Sequence, residues 1–259
     1  MPAHTPDPAL VARLRAAGCV FAEDEAALLQ TEATSPADLE QKVVRRAAGE
    51  PLELVLGWAE LCGLRVRVAP GVFVPRQRSA LLVRLATGAL GGDGRTVLDL
   101  GCGTGALGAV VAAQVPGAEV WASDIDPAAV ACARLNLPPS RVLQGDLFGP
   151  LPDGLRFDVV LANAPYVPTA AIADMPPEAR DHEHRVALDG GADGLDVQRR
   201  VIAEAPAWLA PGGVLLIESS RAQAPVTAAL MRAAGLDAEI HHDEDLYATA
   251  VAGTYAPKP

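Results

Sequence analysis

Lysine is nearly absent from this 259-residue chain. Only Lys42 and Lys258 carry an ammonium group, arginine supplies the remaining positive charge, and the formal net charge is −11. A protein that grips a nucleic-acid backbone needs a dense basic field to displace counterions. Here the arginines come in pairs, Arg13/Arg15, Arg45/Arg46, Arg65/Arg67, Arg76/Arg78 and Arg199/Arg200, as solvated faces do, so nucleic acid is a disfavoured partner. Long apolar runs are also missing. None approaches the roughly 18 to 20 residues that a membrane helix needs, so no membrane association is expected. Met1 to Asp7 show neither the basic head nor the apolar centre of a secretory signal, and the expected compartment is the cytoplasm. The four cysteines, Cys19, Cys62, Cys102 and Cys132, include no C-x-x-C pair and have no His at zinc-ligand spacing. They read as small apolar residues in a reducing compartment, and no metal is expected.

What is present is apolar and ordered: half of the residues are hydrophobic and 20% are charged, enough for a packed core in one large domain or in one domain with a small appendage. Residues 1–57 read as a helical module. Asp7 can cap a helix that begins at Pro8 and ends at Gly18, and Ser35, with Pro36 and Asp38 after it, marks a second start, stopped at Gly49. The module is expected to have little core of its own and to pack on the larger domain or on a partner. Residues 58–78 read as a linking hairpin, with strands on either side of Gly63. Residues 79–259 form the main domain. Strands are expected at Val97–Leu100, Glu119–Ser123, Arg141–Gln144, Asp158–Ala162, Val214–Glu218, Ala238–His241 and Thr249–Ala252, with helical stretches between the first five. Buried strands alternating with helices imply an α/β fold, a doubly wound parallel sheet, here with an antiparallel pair at one edge. His241-His242, followed by Asp243, Glu244 and Asp245, reads as a solvated turn between the last two strands.

The first expected strand runs into Asp99-Leu100-Gly101-Cys102-Gly103-Thr104-Gly105. Glycines let a backbone approach a ligand closely, and the helix expected near Thr104 offers free N–H groups. Gly103 to Gly108 also satisfies the dinucleotide pattern G-x-G-x-x-G, so a nicotinamide-dependent oxidoreductase fits this loop too. Asp99 favours the other reading, because a carboxylate there suits the ammonium of S-adenosylmethionine better than a pyrophosphate. Asp124, at the end of the second strand with Ile125 beside it, can accept from ribose hydroxyls. Asp126 before Pro127 is the expected cap of the next helix. Asp146, after the third strand, can accept from an adenine amine, with Leu147 or Phe148 packing on the ring.

Downstream lies Asn163-Ala164-Pro165-Tyr166, at the carboxyl end of an apolar strand, where open α/β sheets bind ligands. An amide nitrogen is a poor nucleophile. Two acceptors aimed at its hydrogens fix its orientation and disperse the positive charge that grows as a methyl group arrives. Asn163 Oδ1 can be one acceptor and the Ala164 carbonyl, held outward by Pro165, the other. Tyr166 can shield the site and stack on the substrate. Together the two strings suggest methyl transfer from S-adenosylmethionine to an amide or amine nitrogen.

Val97 to Gly105 and Asn163-Ala164-Pro165-Tyr166 resemble the two signature motifs of the protein-(glutamine-N5) methyltransferases. Gly49-Glu50-Pro51-Leu52, Phe73-Val74-Pro75-Arg76, His182-Glu183 and Ala187 to Leu195 resemble other segments of that family. The resemblance implies a seven-stranded Rossmann-like class I methyltransferase sheet and S-adenosylmethionine as cofactor. It also implies, as acceptor, a protein or peptide glutamine such as that in the Gly-Gly-Gln loop of a peptide chain release factor. Asp99, Gly101, Cys102, Gly103, Thr104, Gly105, Asp124, Ile125, Asp146, Leu147 and Asn163 are then the expected cofactor residues. Asn163, Ala164, Pro165 and Tyr166 are the expected catalytic ones, with Arg76, Glu183 and His184 on the acceptor side. The chain departs from the family pattern where it has Ala164 for a first proline, Ser79-Ala80 for a Thr-Glu pair and Glu183-His184 for Glu-Pro, which suits a divergent paralogue. Three other readings remain: an N6-adenine nucleic-acid methyltransferase, the oxidoreductase, and a non-catalytic cofactor-binding protein.

Overall fold

The computed structural model describes residues 5–91, 96–176 and 180–256. The signal-peptide reading of Met1 to His4, the cation Lys258 and the outer limits of the first and last expected domains lie outside them.

Among the described residues the N-terminal unit contains four helices. In α1 (Pro8–Ala16) the Asp7 side chain accepts from Ala9 N at 2.9 Å and Pro8 starts the helix, as expected of a capped N-terminus. α2 (Ala22–Glu32) has Phe21 at its N-cap and no side-chain cap; Glu23, Asp24 and Glu25 instead favour the positive end of its dipole. Ser35 caps α3 (Pro36–Ala47), its Oγ accepting from Asp38 N at 3.1 Å. α4 (Leu52–Leu56) ends at Gly57, which is left-handed at φ 80°. The expectation that this unit has little core of its own is corrected. Leu10, Leu14, Ala22, Ala26, Leu29, Val43 and Val55 form a separate buried cluster, because α2, which no cap residue announces, supplies the missing wall. A buried Arg46–Glu25 pair, at 2.7 and 3.2 Å, ties α3 to α2.

The hairpin pairs β1 (Trp58–Leu61) with β2 (Leu64–Arg67) antiparallel. Cys62 and Gly63 turn it with φ 51° and 78°, the double positive φ that a tight hairpin requires. Asn136 accepts from Arg67 N at 2.8 Å and so fastens the hairpin to the main domain.

After α5 (Ala80–Ala89) come β3 (Thr96–Leu100), α6 (Ala106–Gln114), β4 (Glu119–Asp124), α7 (Pro127–Ala133), β5 (Val142–Gln144), β6 (Phe157–Ala162), α8 (Asp196–Glu204), β7 (Leu209–Glu218), α9 (Ala224–Ala233), β8 (Leu236–Asp243) and β9 (Ala248–Tyr255). One seven-stranded sheet runs in the order β5-β4-β3-β6-β7-β9-β8. β5 to β7 pair parallel, and β9 pairs antiparallel with both β7 and β8. Successive strand residues feed opposite cores: Val97, Val159, Leu161 and Leu216 face α5 and α6, whereas Leu98, Val160, Leu215 and Ile217 face α8 and α9. That alternation with burial on both faces is the signature of a doubly wound sheet.

Three further expectations are corrected. Among the described residues no helix lies between β5 and β6, a stretch broken by Gly145, Gly149, Pro150, Pro152 and Gly154. Arg141 belongs to a short 3₁₀ turn and not to β5. His242 and Asp243, expected in a solvated turn, lie within edge strand β8 together with His241; His242 Nδ1 sits 3.0 Å from Thr249 Oγ1 on β9. No helix among the described residues is long and apolar enough to cross a membrane.

Candidate active site

The glycine loop joins β3 to α6 at the carboxyl edge of the sheet. Gly101, Gly103 and Gly105 all have positive φ, at 65°, 55° and 72°, a run that side chains with a Cβ rarely adopt. Gly105 caps α6, which begins at Ala106, two residues later than Thr104. A Cβ on Gly105 would lie 2.9 Å from Leu137 Cδ1 and 3.2 Å from Ala133 Cβ, so this residue is packed beneath the loop. A Cβ on Gly101 would meet nothing. Gly101 N and Cys102 N both donate to Ser123 O, at 2.8 and 3.0 Å, binding the loop to β4.

Above the loop lies a cavity of about 260 Å³. Gly101, Cys102, Gly103 and Thr104 line it, and so do Asp99, Asp124 and Asp146 from the ends of three adjacent strands, with Ile125 and Leu147 beside them. Gly105 does not line it. Asp99 is buried; its Oδ2 accepts from Gly108 N at 2.8 Å. Burial, with a smaller contribution from the charge on Asp124, raises its pKa to about 7. Asp124 is also raised by burial. Its two oxygens accept from Gly103 N at 2.8 Å and Asp126 N at 2.9 Å. The Cys102 thiol is pushed well up, by burial first and then by the two carboxyls. Asp146 pairs with Arg200 at 2.6 Å. Leu147 holds φ 46°, an uncommon value for a branched side chain, while its carbonyl accepts from Ser123 Oγ at 2.9 Å. Asp126 caps α7 through Ala128 N, as expected.

The Asn163 string leaves the end of β6 and borders the same cavity along all four residues. Asn163 Nδ2 donates to Ser79 Oγ at 3.2 Å, and Asn163 Oδ1 has no hydrogen bond among the described residues. Ala164 is buried. Tyr166 OH donates to Glu218 Oε1 at 3.1 Å, and burial, reinforced by that carboxylate, pushes its pKa well up, keeping the phenol protonated. The Arg78 guanidinium lies 5.7 Å from the Tyr166 ring centre. Gln223 Nε2 donates to the carbonyls of Tyr166 and Asp193, both at 3.0 Å, and Gly190 N donates to Val167 O at 2.9 Å. The Ala187 to Leu195 segment therefore packs against the exit of the string.

Arg76, Glu183 and His184 lie together, but outside the cavity wall. Arg76 Nη2 bonds Glu183 Oε1 at 2.5 Å, and that oxygen also accepts from Val74 N at 3.2 Å. Glu183 Oε2 is buried without a partner, and burial raises the group's pKa. His184 N donates to Gly71 O at 2.8 Å, its ring packs on Gly71, and Nδ1 sits 2.6 Å from Asp126 Oδ2. The three residues strap residues 71–76, which border the cavity through Phe73 and Pro75, to the segment after the Asn163 string.

Ser79, marked in the sequence only as a departure from the family pattern, and Arg78 and Glu218, which no motif marks as site residues, join this site. Glu218 is buried at the end of β7, where it accepts from Ser79 Oγ at 2.6 Å, Arg78 Nε at 3.0 Å and Tyr166 OH. The available signal was an acid closing an otherwise apolar strand, Val214 to Ile217.

The family profile "Methyltransferase small domain" matches residues 63–176, a span that includes both the glycine loop and the Asn163 string. The chain is 40% identical to a release factor glutamine methyltransferase of Geobacter sulfurreducens over 70% of its own length and 65% of that relative's. It is 36% identical to one of Burkholderia pseudomallei over 93% of its own length and 94% of the relative's. The chain belongs to the release factor glutamine methyltransferase family. A methyltransferase structure from Pyrococcus furiosus superposes with a TM-score of 0.57 at 16% identity, covering 85% of this chain and all of that one, which shows the shared class I methyltransferase fold. The Burkholderia match takes in 93% of the chain and so reaches into the N-terminal unit.

Proposed function

We propose that this protein is an S-adenosylmethionine-dependent N-methyltransferase of the cytoplasm that methylates the side-chain amide nitrogen of a glutamine in a protein, a peptide chain release factor being the favoured acceptor. The observation that carries the reading is the pairing of an acid-rimmed cavity with an asparagine whose Oδ1 is free beside it.

The cavity suits this cofactor. Among the described residues Asp99 is a buried carboxyl without a cationic partner, its pKa raised to about 7 by burial; an ammonium beside it would restore its charge. A pyrophosphate would instead meet Asp99 and Asp124, which weighs against the oxidoreductase reading. Asp124 keeps lone pairs free for two ribose hydroxyls, and Leu147 offers a face to a ring. When bound, the cofactor supplies a methyl group on a positively charged sulfur.

The chain's own residues then act by positioning. Asn163 Oδ1 and the Ala164 carbonyl accept the two hydrogens of the acceptor amide, so its nitrogen faces the methyl group and its growing charge is dispersed. Tyr166, locked by Glu218 and held protonated, closes one side of the acceptor plane and excludes water. The proton is lost to solvent after transfer; His184 is committed to Asp126 and Gly71 and is not needed as a base. We assign residues 1–57 to acceptor capture and the 71–76 strap, held by Arg76, Glu183 and His184, to ordering the wall between cofactor and acceptor.

The test offers labelled S-adenosylmethionine to Gly-Gly-Gln release factors and to adenine-containing DNA and RNA in parallel. Salt-insensitive label on protein alone is expected. Label on nucleic acid that fades with salt would replace this reading with the N6-adenine one.

A further inference from the structure

We propose that Glu218 is a positioning residue that decides which way round the Asn163 carboxamide is held, acting through the Ser79 hydroxyl. The inference rests on the reading of Asn163 as an acceptor-binding residue only for its effect on rate; the orientation itself can be read without turnover.

A carboxamide is nearly symmetric in shape and opposite in polarity at its two ends. For Asn163 to accept a hydrogen from an amide substrate, Oδ1 and not Nδ2 must face the cavity. Ser79 Oγ, the only hydrogen-bond partner of that carboxamide among the described residues, is a hydroxyl and can pair with either end. Glu218 removes the choice. Its Oε2 lies 2.6 Å from Ser79 Oγ, and a carboxylate can only accept, so the single Ser79 proton is spent there. The Ser79 oxygen is left with lone pairs alone, and Asn163 must turn its NH2 toward it, at 3.2 Å. The reversed amide would set oxygen against oxygen.

Every link is held from behind. Ser79 and Glu218 are buried. Glu218 Oε1 takes Arg78 Nε and Tyr166 OH, and the Glu218 backbone carbonyl accepts from Gln198 Nε2 at 3.3 Å. Ser79 N donates to Arg76 O at 3.0 Å. One carboxylate thus orients two residues of the string, Asn163 through Ser79 and Tyr166 directly.

The composition makes a direct test possible, because the chain contains only two asparagines, Asn136 and Asn163. Protein labelled with ¹⁵N-asparagine shows two side-chain NH2 pairs by NMR, and the pair lost in Asn163→Ala is that of Asn163. Glu218→Gln keeps the shape and reverses one hydrogen bond. Its oxygen must still serve Arg78 and Tyr166, so its NH2 points at Ser79, whose proton is freed for Asn163 Oδ1. The expected results are displaced and faster-exchanging Asn163 NH2 resonances, an unmoved Asn136 pair, and a kcat for methyl transfer lowered on the order of 10²-fold, the range found for removing one preorganised charge-stabilising hydrogen bond. Cofactor affinity should change far less than kcat, because the chain of bonds reaches the cavity only through Asn163 and Tyr166 and does not touch Asp99 or Asp124. Ser79→Ala should lose a similar factor and Ser79→Thr should recover most of it. The Ser79→Ala, Glu218→Gln double variant should be no slower than the slower single one, as expected of residues acting in series. Unchanged Asn163 resonances in Glu218→Gln would overturn the proposal, and so would rate losses that multiply in the double variant. If no glutamine acceptor is methylated by the parent protein while its Asn163 resonances still respond to Glu218→Gln, the acceptor assignment fails and the orientation chain stands. Should Glu218→Gln not fold, Ser79→Ala and Ser79→Thr carry the same test with the carboxylate in place.

Discussion

Changing Asp99 to Asn should flatten the pH dependence of cofactor binding. The Asp99 carboxyl is buried at the end of β3, and its pKa stands at about 7 against an ordinary 3.8; burial is the main cause, the charge of Asp124 adds to it, and the Gly108 N–H bond opposes it. A cationic ligand binds the charged form, so binding must expel the proton whenever the pH lies below that value. Affinity should weaken about tenfold per pH unit on the acid side, which is about 30-fold between pH 8 and pH 5.5. The same shift acts on the free protein with a defined sign. The folded-state pKa is raised, so below about 3.8 both states are protonated and nothing is lost. Between about 3.8 and 7 the unfolded chain ionises freely while the folded one resists, and stability falls, by on the order of 4 kcal/mol in all, levelling off above 7. The assay is calorimetric titration with S-adenosylmethionine from pH 5.5 to 8 at fixed ionic strength, in buffers of different ionisation enthalpy, so that released protons are counted. The parent protein should release about half a proton at pH 7, and the Asp99→Asn protein should bind more weakly at pH 8 with a nearly level profile. A parent affinity independent of pH across that window would refute the argument that Asp99 faces the positive charge of the cofactor.

Two other substitutions probe the neighbouring geometry. Gly105→Ala must hold a φ of 72° and place a Cβ 2.9 Å from Leu137, a combined cost of about 2 kcal/mol; thermal unfolding should fall by roughly 4 to 8 °C and cofactor binding should weaken with it, although Gly105 does not line the cavity. Ala164→Pro should stiffen the carbonyl that receives the acceptor amide, and a gain of about 0.4 to 1 kcal/mol in preorganisation corresponds to a kcat roughly two to five times higher; steady-state kinetics showing a loss instead would mean that the Ala164 backbone is not shaped like the proline it replaces.

How much of this was legible in the sequence depended on how local the cause was. Asp7-Pro8 and Ser35-Pro36 are caps that act within three residues, and both start helices where expected. The apolar strands each carried enough of their own pattern to be found, and the antiparallel pair at the edge followed from their spacing. The start of α2 carries no capping signal in the sequence, because it rests on Phe21 and a run of acids and not on a capping side chain. The end of β8 at His242 and Asp243 is not legible as strand because this edge strand is half solvated, and a strand that faces water carries the same residues as a loop. The glycine loop and the Asn163 string were visible as strings. The chain joining Asn163 to Ser79 and Glu218 was not, because its links stand 84 and 139 residues apart. Only the adjacency of β6 and β7 in the sheet brings the end of one strand beside the end of the other, and no periodicity within either segment reports that adjacency. Arg76, Glu183 and His184 were recognised as a group, but from sequence alone nothing distinguishes a wall of the cavity from the strap behind it.

The measurement that tests the central claim most directly is mass spectrometry of a Gly-Gly-Gln release factor after incubation with S-adenosylmethionine carrying a labelled methyl group, with the parent protein and with Asn163→Ala in parallel. One labelled methyl on the side-chain nitrogen of the motif glutamine is expected with the parent. With Asn163→Ala, transfer should be lower by on the order of 10²-fold or more while cofactor affinity is retained. Label that persists undiminished in the Asn163→Ala protein, or that appears on no glutamine while the cofactor still binds, would contradict the account.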